Sequence, residues 1–594
     1  MSDTEMAPGA PGIPPAWTSS AKDAVATGLG SSHVWITIGR GVLNEVYWPR
    51  LDSPQIRDLG FIVADGEGYW DEVKRDSHYD LQVPEPGIPA YQAVHHADRY
   101  TLSLDFLPDP DRDVVLIKAH LDGDERLKLY PLLAPHLDNT GSDNTAWVES
   151  FRDWDVLFAQ RESDCLALCI AGPDSESAVS RAGAGFVGAS DGWQDFDQNG
   201  RMTWTYPRAE NGNVALMAEV PSHDCLLALG FGDTPELAAT AALASLHIPF
   251  DSIHTRYVTN WRSWQSSCKI PASMDPDVHN IARISATVLK THIGRIIPGA
   301  MVASLSIPWG QSRDDLGGYH LIWSRDLVES AGGLLVFGAA DDARLVLSYL
   351  IASQQADGHW AQNQWLDGRP YWTGIQMDEA GFPILLAQAL DERGELAGMP
   401  VKPMIERAAA YLAQNGPVTQ QDRWEEDPGL SPFTVAVEVA ALVAAAGFLE
   451  EPARSYVLEL ADSWNSRIED WTYTTDGNLA KEHGLDDVDG YYVRIAPPEA
   501  IDGEGAGGGV IAIKNRPPSS SSGKTSEFIS LEFLELVRLG LRRAADPGIV
   551  NTVKLIDAVL KVDTPSGAAW HRYNDDGYGE HQDGSPFDGT GIGR

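Results

Sequence analysis

Residues 433–446, FTVAVEVAALVAAA, carry apolar side chains at the spacing of an α-helix. The same spacing recurs before and after this run, so helix is expected to follow helix through the second half of the chain. The predicted helices are 278–293, 326–338, 341–355, 379–390, 401–414, 433–446, 452–470, 531–544 and 550–562. The loops between them are rich in Trp, Asp, Glu and Gly, which predicts helical hairpins packed side by side and a site where the loops gather.

The first half of the chain has a different pattern. Short stretches rich in β-branched and aromatic residues alternate with turn signals such as Asp-Gly and Asn-Gly. The predicted strand regions are 33–47, 113–121, 126–133, 155–170, 202–206 and 213–220. Antiparallel sheets that form a sandwich are the simplest outcome. Because we find no convincing catalytic cluster here, we expect this half to have a structural or positioning role.

These patterns predict three segments along the chain. Residues 1–30 are rich in Pro, Ala and Gly and are expected to be flexible. Residues 31–270 should form the β-sandwich domain, and residues 274–594 should form the helical domain. Within the helical part, the run PPSSSSG at 517–523 is interpreted as a flexible loop or linker by its composition.

The composition limits the partners and the location. The 594 residues include 44 Lys and Arg against 85 Asp and Glu, for a formal net charge of −41, so neither nucleic acid nor a membrane is expected as a partner. The four cysteines lack CxxC spacing and nearby His and are interpreted as buried free thiols, not a zinc site. The sequence has no visible secretion signal and no apolar run long enough to span a bilayer, so the expected location is cytoplasmic.

The strongest candidate for chemistry is the run Arg423-Trp424-Glu425-Glu426-Asp427, directly before a predicted helix. Glycoside hydrolysis needs a carboxylic acid that protonates the leaving oxygen. Adjacent carboxylates beside a Trp are one way to keep a carboxyl group protonated near neutral pH. The alternative is an ordinary acidic first turn that complements the helix dipole.

The run GGYHLIWSRD at 317–326 opens another predicted helix. Arg325 and Asp326 can hold vicinal sugar hydroxyls in charge-assisted hydrogen bonds, while Trp323 or Tyr319 supplies a stacking face. A helix cap with an Arg salt bridge is the alternative interpretation.

Two further loops suit a polyhydroxylated neutral ligand. QNQWLDG at 362–368 and YWTGIQMDE at 371–379 interleave amides, carboxylates and aromatic rings, although Trp residues of a loop core would look the same. The terminal stretch WHRYNDDGYGEH at 570–581 is similar, and a calcium loop is disfavoured because its oxygen ligands lack EF-hand spacing. The sequence shows no nucleophile elbow, phosphate-binding Gly loop or dinucleotide fingerprint, so phosphoryl and hydride transfer are not expected.

Taken together and in order, GGYHLIWSRDL, QNQWLDG, PYWTGIQMDE, WEED, HRYNDDGYGEH and DGSPFDGTGIGR resemble the catalytic domain of bacterial glucoamylases and glucodextranases of glycoside hydrolase family 15. HVWITIGRGVLNEVYWP resembles the β-sandwich domain of the same group, so the resemblance covers nearly the whole chain. It implies an N-terminal antiparallel β-sandwich followed by an (α/α)6 barrel. It also implies exo-acting, inverting hydrolysis that releases β-glucose from α-glucans or α-gluco-oligosaccharides. No cofactor is required, and calcium is compatible with the family but cannot be placed.

The resemblance assigns roles to residues by matching motif. Glu425 corresponds to the general acid, with Glu426 and Trp424 close to the sugar. Arg325 and Asp326 would grip the terminal glucose. The remaining pocket residues would be Tyr319, Trp323, Trp372, Gln376 and Arg572. No metal ligand is expected.

One departure concerns the general base, which this family carries in a segment resembling Pro-Glu-Gln-Val-Trp-Asp. No such segment occurs here, so the resemblance implies a barrel that is incomplete at its C-terminus and a base beyond residue 594, or a second chain that completes the barrel. Glu580 and Asp583 are less favoured substitutes. Two rival functions stay open: a disaccharide phosphorylase, in which phosphate replaces the base, and a carbohydrate-binding or assembly subunit without hydrolysis. The sequence leaves the linkage preference and the oligomeric state undecided.

Overall fold

The computed structural model describes residues 6–270, 275–307, 317–503 and 505–578. The chain divides into two compact units. The first comprises residues up to Leu321 together with Val336–Ala339, and the second comprises Ile322–Leu335 and the chain from Ala340 onward.

The first unit consists mainly of β-strands. They are β1 Ala24–Thr27, β2 Trp35–Gly39, β3 Val42–Tyr47, β4 Ile56–Ala64, β5 Trp70–Glu72, β6 His78–Gln82, β7 Tyr91–His96, β8 Tyr100–Pro108, β9 Val114–Gly123, β10 Lys128–Pro135, β11 Asn144–Phe151, β12 Trp154–Arg161, β13 Asp164–Ala171, β14 Arg181–Phe186, β15 Arg208–Gly212, β16 Val214–Glu219 and β17 Asp224–Gly232. The helices of this unit are α1 Val73–Asp76, α2 Gly192–Asn199, α3 Pro235–Leu246, α4 Phe250–Ser267 and α5 Pro276–Thr291.

Within residues 24–232 the strands form two antiparallel sheets. The eight-stranded sheet has the order β1-β2-β3-β4-β10-β16-β14, with β5 beside β4, and the nine-stranded sheet has the order β15-β11-β12-β13-β17-β9-β8-β7-β6. Side chains of both sheets meet in one apolar core, for example Ile36 and Leu59 from the first sheet with Leu104, Ile117 and Leu168 from the second. The predicted antiparallel β-sandwich is therefore confirmed.

Helices cover the outer faces of the sandwich, although the sequence pattern indicated only strands in this region. Ala238 and Ala242 of α3 and Trp261 of α4 pack with Leu116 and Ala228 of the nine-stranded sheet. The small side chains of α3 allow this close approach. On the other sheet, α2 adds a smaller apolar cluster around Phe196.

The expected flexibility of residues 1–30 is wrong for residues 6–30, which are ordered against the sandwich. The segment is described from residue 6 onward, and Trp17 is only 1% exposed. The indole ring of Trp17 lies edge-on against His136, with 4.7 Å between the ring centroids. Residues 24–27 pair with β2 as a strand of the sheet. The Pro-rich and Gly-rich composition concealed these apolar anchors.

The predicted strand at 202–206 is also wrong, because these residues form no strand. The backbone N–H groups of Thr203 and Trp204 donate to the carboxylate of Asp195 at 2.5 and 2.6 Å. A side chain therefore replaces the strand partner that the sequence pattern suggested.

The boundary between the units lies beyond the expected position at 270–274, because α5 stays with the first unit. Nε2 of Gln265 in α4 donates to Oγ1 of Thr287 in α5 at 2.6 Å. Oγ1 of Thr287 donates to the carbonyl of Gly87 at 2.6 Å. The change of periodicity thus marks where this helix begins, not where the compact unit ends.

The second unit is mainly helical. Its helices are α6 Ser324–Val336, α7 Ala340–Ser353, α8 Met377–Glu392, α9 Lys402–Asn415, α10 Pro432–Ala445, α11 Ala453–Asn465, α12 Ile468–Thr472, α13 Leu479–Glu482, α14 Glu535–Arg538 and α15 Pro547–Val559. Its short strands are β18 Asn363–Gln364, β19 Pro370–Trp372, β20 Tyr473–Thr474, β21 Tyr491–Tyr492, β22 Val510–Ala512, β23 Ser522–Lys524, β24 Lys561–Thr564 and β25 Gly567–Trp570.

Helices α8 and α10 form the centre of this unit and are buried on nearly all sides. Helix α10 begins with Pro432 at its first position, where the missing N–H costs nothing, and it packs against α8, α9 and α11. Helices α7, α9 and α11 bury one face each. This alternation of enclosed and one-sided helices agrees with the predicted hairpins.

Two predictions in the second unit need correction. The expected helix at 531–544 is a 3-10 turn at Leu531–Leu534 followed by α14, because Gly540 at a φ of 77° ends it. The run 517–523 is not a plain linker, since residues 518–520 form a 3-10 turn and residues 522–524 pair with β22.

Within the described ranges no helix has the length and apolar character needed to cross a bilayer. All four cysteines are free, and three of them are buried, while Cys268 is partly exposed. The same described ranges contain no group of three or more His, Cys, Asp and Glu arranged to hold a metal ion.

Candidate active site

The loop at 422–427, called here the acid loop, is a tight turn directly before α10. Glu425 has a left-handed backbone with a φ of 67°. Its N–H donates to the carbonyl of Asp422 at 2.9 Å, and the N–H of Glu426 donates to the Asp422 carboxylate at 3.0 Å. Because a non-Gly residue in this conformation is strained, the surrounding contacts must hold the loop.

Glu425 is half-buried and is anchored through one carboxyl oxygen. The indole Nε1 of Trp323, directly before α6, donates to Oε1 of Glu425 at 2.7 Å. Among the described residues, Oε2 of Glu425 has no hydrogen-bond partner. The carboxyl group therefore has a fixed orientation and one oxygen available to a ligand.

Glu426 faces the protein interior and is only 7% exposed. Its carboxylate accepts from the hydroxyl of Tyr573 at 2.8 Å, from Nδ2 of Asn515 at 2.8 Å and from Arg494 at 3.2 Å. Burial raises the pKa of Glu426 to about 7 against the opposing charge of Arg494. This geometry suits a residue that holds the acid loop, and its predicted contact with sugar stays a prediction.

Arg494, which the sequence did not indicate, holds the acid loop through ion pairs. Its side chain is fully buried. Its Nη1 donates to Asp422 at 2.7 Å and to Glu426, while Nη2 pairs with Asp427. A single guanidinium thus joins three carboxylates of the acid loop. The only sequence signal is an Arg between apolar neighbours in YYVRIA at 491–496.

Arg325, in the first turn of α6, is also buried. Its Nη1 donates to Oε1 of Gln376 at 2.7 Å and to Asp378 at 2.8 Å, and it lies 3.2 Å from Glu379. Although burial opposes it, the charges of Asp378 and Glu379 raise the pKa of Arg325. The guanidinium is therefore charged and rigidly held.

Glu379 fixes the start of α6 and was not singled out by the sequence analysis. Its Oε2 accepts from the N–H of Ser324 at 2.7 Å and from the Ser324 hydroxyl. Burial raises the pKa of Glu379 to about 8, with Arg325 opposing and Asp378 adding to the shift. Because Ser324 lies between Trp323 and Arg325, this contact sets the position of both.

Asp326 and Gln376 lie next to Arg325. The side chain of Asp326 is 43% exposed, and its contact among the described residues is a 3.7 Å approach to Nε of Arg325. Its oxygens therefore accept no hydrogen bond within the described part of the chain. Gln376 is 2% exposed, and its Nε2 lacks a partner there. Both groups offer hydrogen bonds to a ligand.

Arg572 and Trp424 form a second pair at the acid loop. The guanidinium carbon of Arg572 lies 4.6 Å from the centroid of the Trp424 ring, and that of Arg423 lies 4.8 Å from the same centroid. Nε of Arg572 donates to Asp576 at 2.6 Å. Trp424, the residue before Glu425, thus makes cation–π contacts with two arginines.

A cavity of about 350 Å³ adjoins this pair, and its lining includes Trp424, Arg572, Arg423, Phe433 and Glu532. Its volume is within the range of small-molecule sites. Glu425 is not one of its lining residues, so the cavity marks space beside the acid loop and does not by itself define where the acid acts.

The remaining predicted residues lie in different surroundings. Trp372, at the end of β19, is 43% exposed, and its N–H donates to Oδ1 of Asn363 at 2.8 Å. Tyr319 is partly exposed and belongs to the first compact unit, where its carbonyl accepts from the N–H of Ser304 at 2.8 Å. Glu580 and Asp583 lie outside the described residues.

Comparison with known proteins matches both halves of the chain. The family described as glucodextranase, domain N matches residues 7–266, and the family described as glycosyl hydrolases family 15 matches residues 279–588. A glucoamylase from Clostridium sp. (strain G0005) is 34% identical over 606 residues, which span 98% of this chain and 82% of the relative. An uncharacterized glycosyl hydrolase from Methanocaldococcus jannaschii is 27% identical over 190 residues, 30% of this chain and 29% of that protein.

A crystal structure of a bacterial glucoamylase complexed with acarbose is also similar. Its TM-score is 0.90 at 32% sequence identity, and the match covers 99% of this chain and 86% of that chain. The agreement extends over the sandwich and the helical unit, whose helices correspond to the (α/α)6 barrel of that protein.

Proposed function

Because the chain belongs to glycosyl hydrolase family 15, we propose that Glu425 is the general acid of its reaction. The protein is an exo-acting hydrolase of α-glucosides that releases glucose. Its substrate is an α-glucan. We further propose that it acts on α-gluco-oligosaccharides and that its site binds acarbose, the ligand of the similar bacterial glucoamylase structure.

The observation that carries the assignment is the contact between Trp323 and Glu425. An indole N–H can only donate a hydrogen bond, so Oε1 of Glu425 must act as the acceptor. The proton of the carboxylic acid is therefore placed on Oε2, which has no partner among the described residues. From Oε2 it passes to the glycosidic oxygen as the bond to the anomeric carbon breaks.

The terminal glucose is held at the start of α6. The exposed carboxylate of Asp326 accepts hydrogen bonds from two neighbouring hydroxyls of the sugar. Nε of Arg325 lies 3.7 Å from the Asp326 carboxylate. The Arg325 side chain is held by hydrogen bonds to Gln376 and Asp378. The exposed ring of Trp372 supplies an aromatic face for the CH groups of a sugar ring.

The stereochemical outcome is inversion: water attacks the anomeric carbon opposite the leaving oxygen, a general base that we do not assign among the described residues takes the proton of this water, and the product is β-glucose. The test is ¹H NMR of the anomeric protons during the first minutes of maltotriose hydrolysis. We expect the β-glucose signal to appear first and the α-glucose signal to follow by mutarotation. Initial release of α-glucose would contradict the proposal, and so would internal cleavage of longer glucans.

The same experiment compares linkages when maltotriose, isomaltotriose and trehalose are supplied in parallel. A phosphorylase would instead require phosphate and give glucose 1-phosphate. Reactions are therefore run with and without phosphate. A rate that is independent of phosphate supports hydrolysis.

A further inference from the structure

A short hairpin contacts the acid loop through two neighbouring polar residues, Lys514 and Asn515. Residues 510–516, called here the strap, begin with β22, whose partner is β23. Ile511 and Ile513 of the strap pack with Phe528 and Tyr573 in a small apolar core. The strap is thus held by the apolar contacts of Ile511 and Ile513 and by the pairing of β22 with β23.

The polar residues of the strap contact the acid loop. Nζ of Lys514 donates to the backbone carbonyl of Glu425. Nδ2 of Asn515 donates to Oε1 of Glu426 at 2.8 Å. Neighbouring residues of the strap thus hold the two neighbouring glutamates, one through its backbone and the other through its side chain.

The contact from Lys514 is made where the backbone of the acid loop is strained. Glu425 has a φ of 67°, a conformation that L-residues other than glycine adopt at a cost. A hydrogen bond from an ammonium group to the Glu425 carbonyl is charge-assisted and fixes the peptide plane that follows Glu425. The contact thus helps to hold the strained backbone from which the Glu425 side chain reaches Trp323.

We propose that Lys514 is a positioning residue, which holds the Glu425 backbone so that the carboxyl is aimed at the departing oxygen. The proposal rests on the proposed role of Glu425 as general acid. Loss of the Lys514 contact should lower the rate of the protonation step and leave sugar binding unchanged, because Lys514 has no contact with Arg325 or Asp326.

The test compares two substrates that differ in their need for an acid. Maltotriose has a sugar leaving group that must be protonated, whereas α-glucosyl fluoride releases fluoride, a weak base that leaves without a proton. For Lys514→Met we expect kcat on maltotriose to fall about 10- to 100-fold, as for a misplaced catalytic group, with KM unchanged. On α-glucosyl fluoride we expect a fall of less than about threefold, because aiming of the acid matters little there.

The matched control is Lys524→Met, which removes an exposed lysine from β23 of the same hairpin without a contact to the acid loop. Its rates should equal those of the parent protein. Lys514→Arg, which keeps a cationic donor, should recover most of the maltotriose rate. Because Lys514 is exposed, both variants at this position should keep the parent melting temperature.

Equal losses on both substrates would show a general structural effect and overturn the proposal. An unchanged maltotriose rate would also overturn it. Glu425→Gln is measured in parallel to separate the two ideas. If Glu425→Gln keeps full maltotriose activity, the proposed function itself fails. If Glu425→Gln is inactive while Lys514→Met is not impaired, only the role of Lys514 fails.

Discussion

Nε1 of Trp323 and Oε1 of Glu425 are joined by a hydrogen bond of 2.7 Å that connects the start of α6 to the acid loop. The two residues are 102 positions apart in the chain. Through this bond, the residues proposed to hold glucose and the residue proposed to protonate the leaving oxygen share one rigid frame. Glu379 holds the start of α6 through Ser324, and Arg494 holds the acid loop through Asp422.

The first prediction tests the donor of this bond. Trp323→Phe keeps an aromatic ring but removes the N–H, and a hydrogen bond of this kind contributes about 0.5–1.5 kcal/mol. We therefore expect kcat on maltotriose to fall about twofold to twelvefold, with a small change in KM. Trp360→Phe is the control, because Nε1 of Trp360 donates to the Leu350 carbonyl at 3.1 Å and not to the acid loop. Equal losses in the two variants would refute a specific role for Trp323.

The second prediction concerns binding of the terminal glucose. Asp326→Asn removes a charge that has no hydrogen bond among the described residues, so the fold should be unaffected. Hydrogen bonds to charged groups contribute about 1.5–3 kcal/mol, which corresponds to roughly 10- to 100-fold weaker binding of acarbose by calorimetry. Asp341→Asn, in the first turn of α7, is the matched control and should bind acarbose as the parent does. Unchanged affinity of Asp326→Asn would exclude the assigned contact.

The third prediction compares two arginines in the second unit. Arg494 is fully buried among Asp422, Glu426 and Asp427, so Arg494→Met leaves carboxylates uncompensated and should lower the free energy of unfolding by about 3–5 kcal/mol. Arg538 is 56% exposed, and Arg538→Met should cost about 0–1 kcal/mol. Urea unfolding of both variants measures the difference. Similar losses would mean that the buried network does not stabilise the acid loop.

The fourth prediction is a pH dependence of stability. Glu438 lies inside α10, and neither of its carboxyl oxygens has a hydrogen-bond partner among the described residues. Burial, assisted by Asp378, raises the pKa of Glu438 well above its ordinary value of 4.5. The folded protein therefore binds a proton that the unfolded chain releases above that value, so the stability from this group is full at lower pH and is lost as pH rises.

Glu438→Gln is neutral at every pH and should remove that loss. Its melting temperature should be close to that of the parent at about pH 4 and above that of the parent at about pH 8. The melting temperatures are measured by calorimetry at both pH values. A difference between the two proteins that does not change with pH would contradict the raised pKa.

The sequence predicted those parts of the molecule that depend on local periodicity. The long apolar run at 433–446 is a helix, and the strands at 113–121 and 213–220 are present with small shifts of their ends. The acid loop could also be found, because four charged residues and Trp424 are consecutive at 423–427. The expected helix at 531–544 failed because a single residue, Gly540, ends the turn.

The supporting residues could not be predicted because their partners are distant in the chain. Arg494 contacts Asp422 across 72 positions, and Glu379 contacts Ser324 across 55 positions. No spacing rule links such pairs; only the packing of the helices brings them together. The burial of residues 6–30 was missed for the same reason, since Trp17 contacts His136 in a distant part of the sandwich.

The central claim is that Glu425 hands its proton to the departing oxygen. The most direct measurement is the initial rate of glucose release from maltotriose by the parent protein and by Glu425→Gln, with acarbose binding as the check that the site is intact. A general acid contributes about 10²- to 10⁴-fold, so we predict a loss of that size with acarbose affinity retained. A Glu425→Gln protein that binds acarbose and releases glucose at the parent rate would contradict the account.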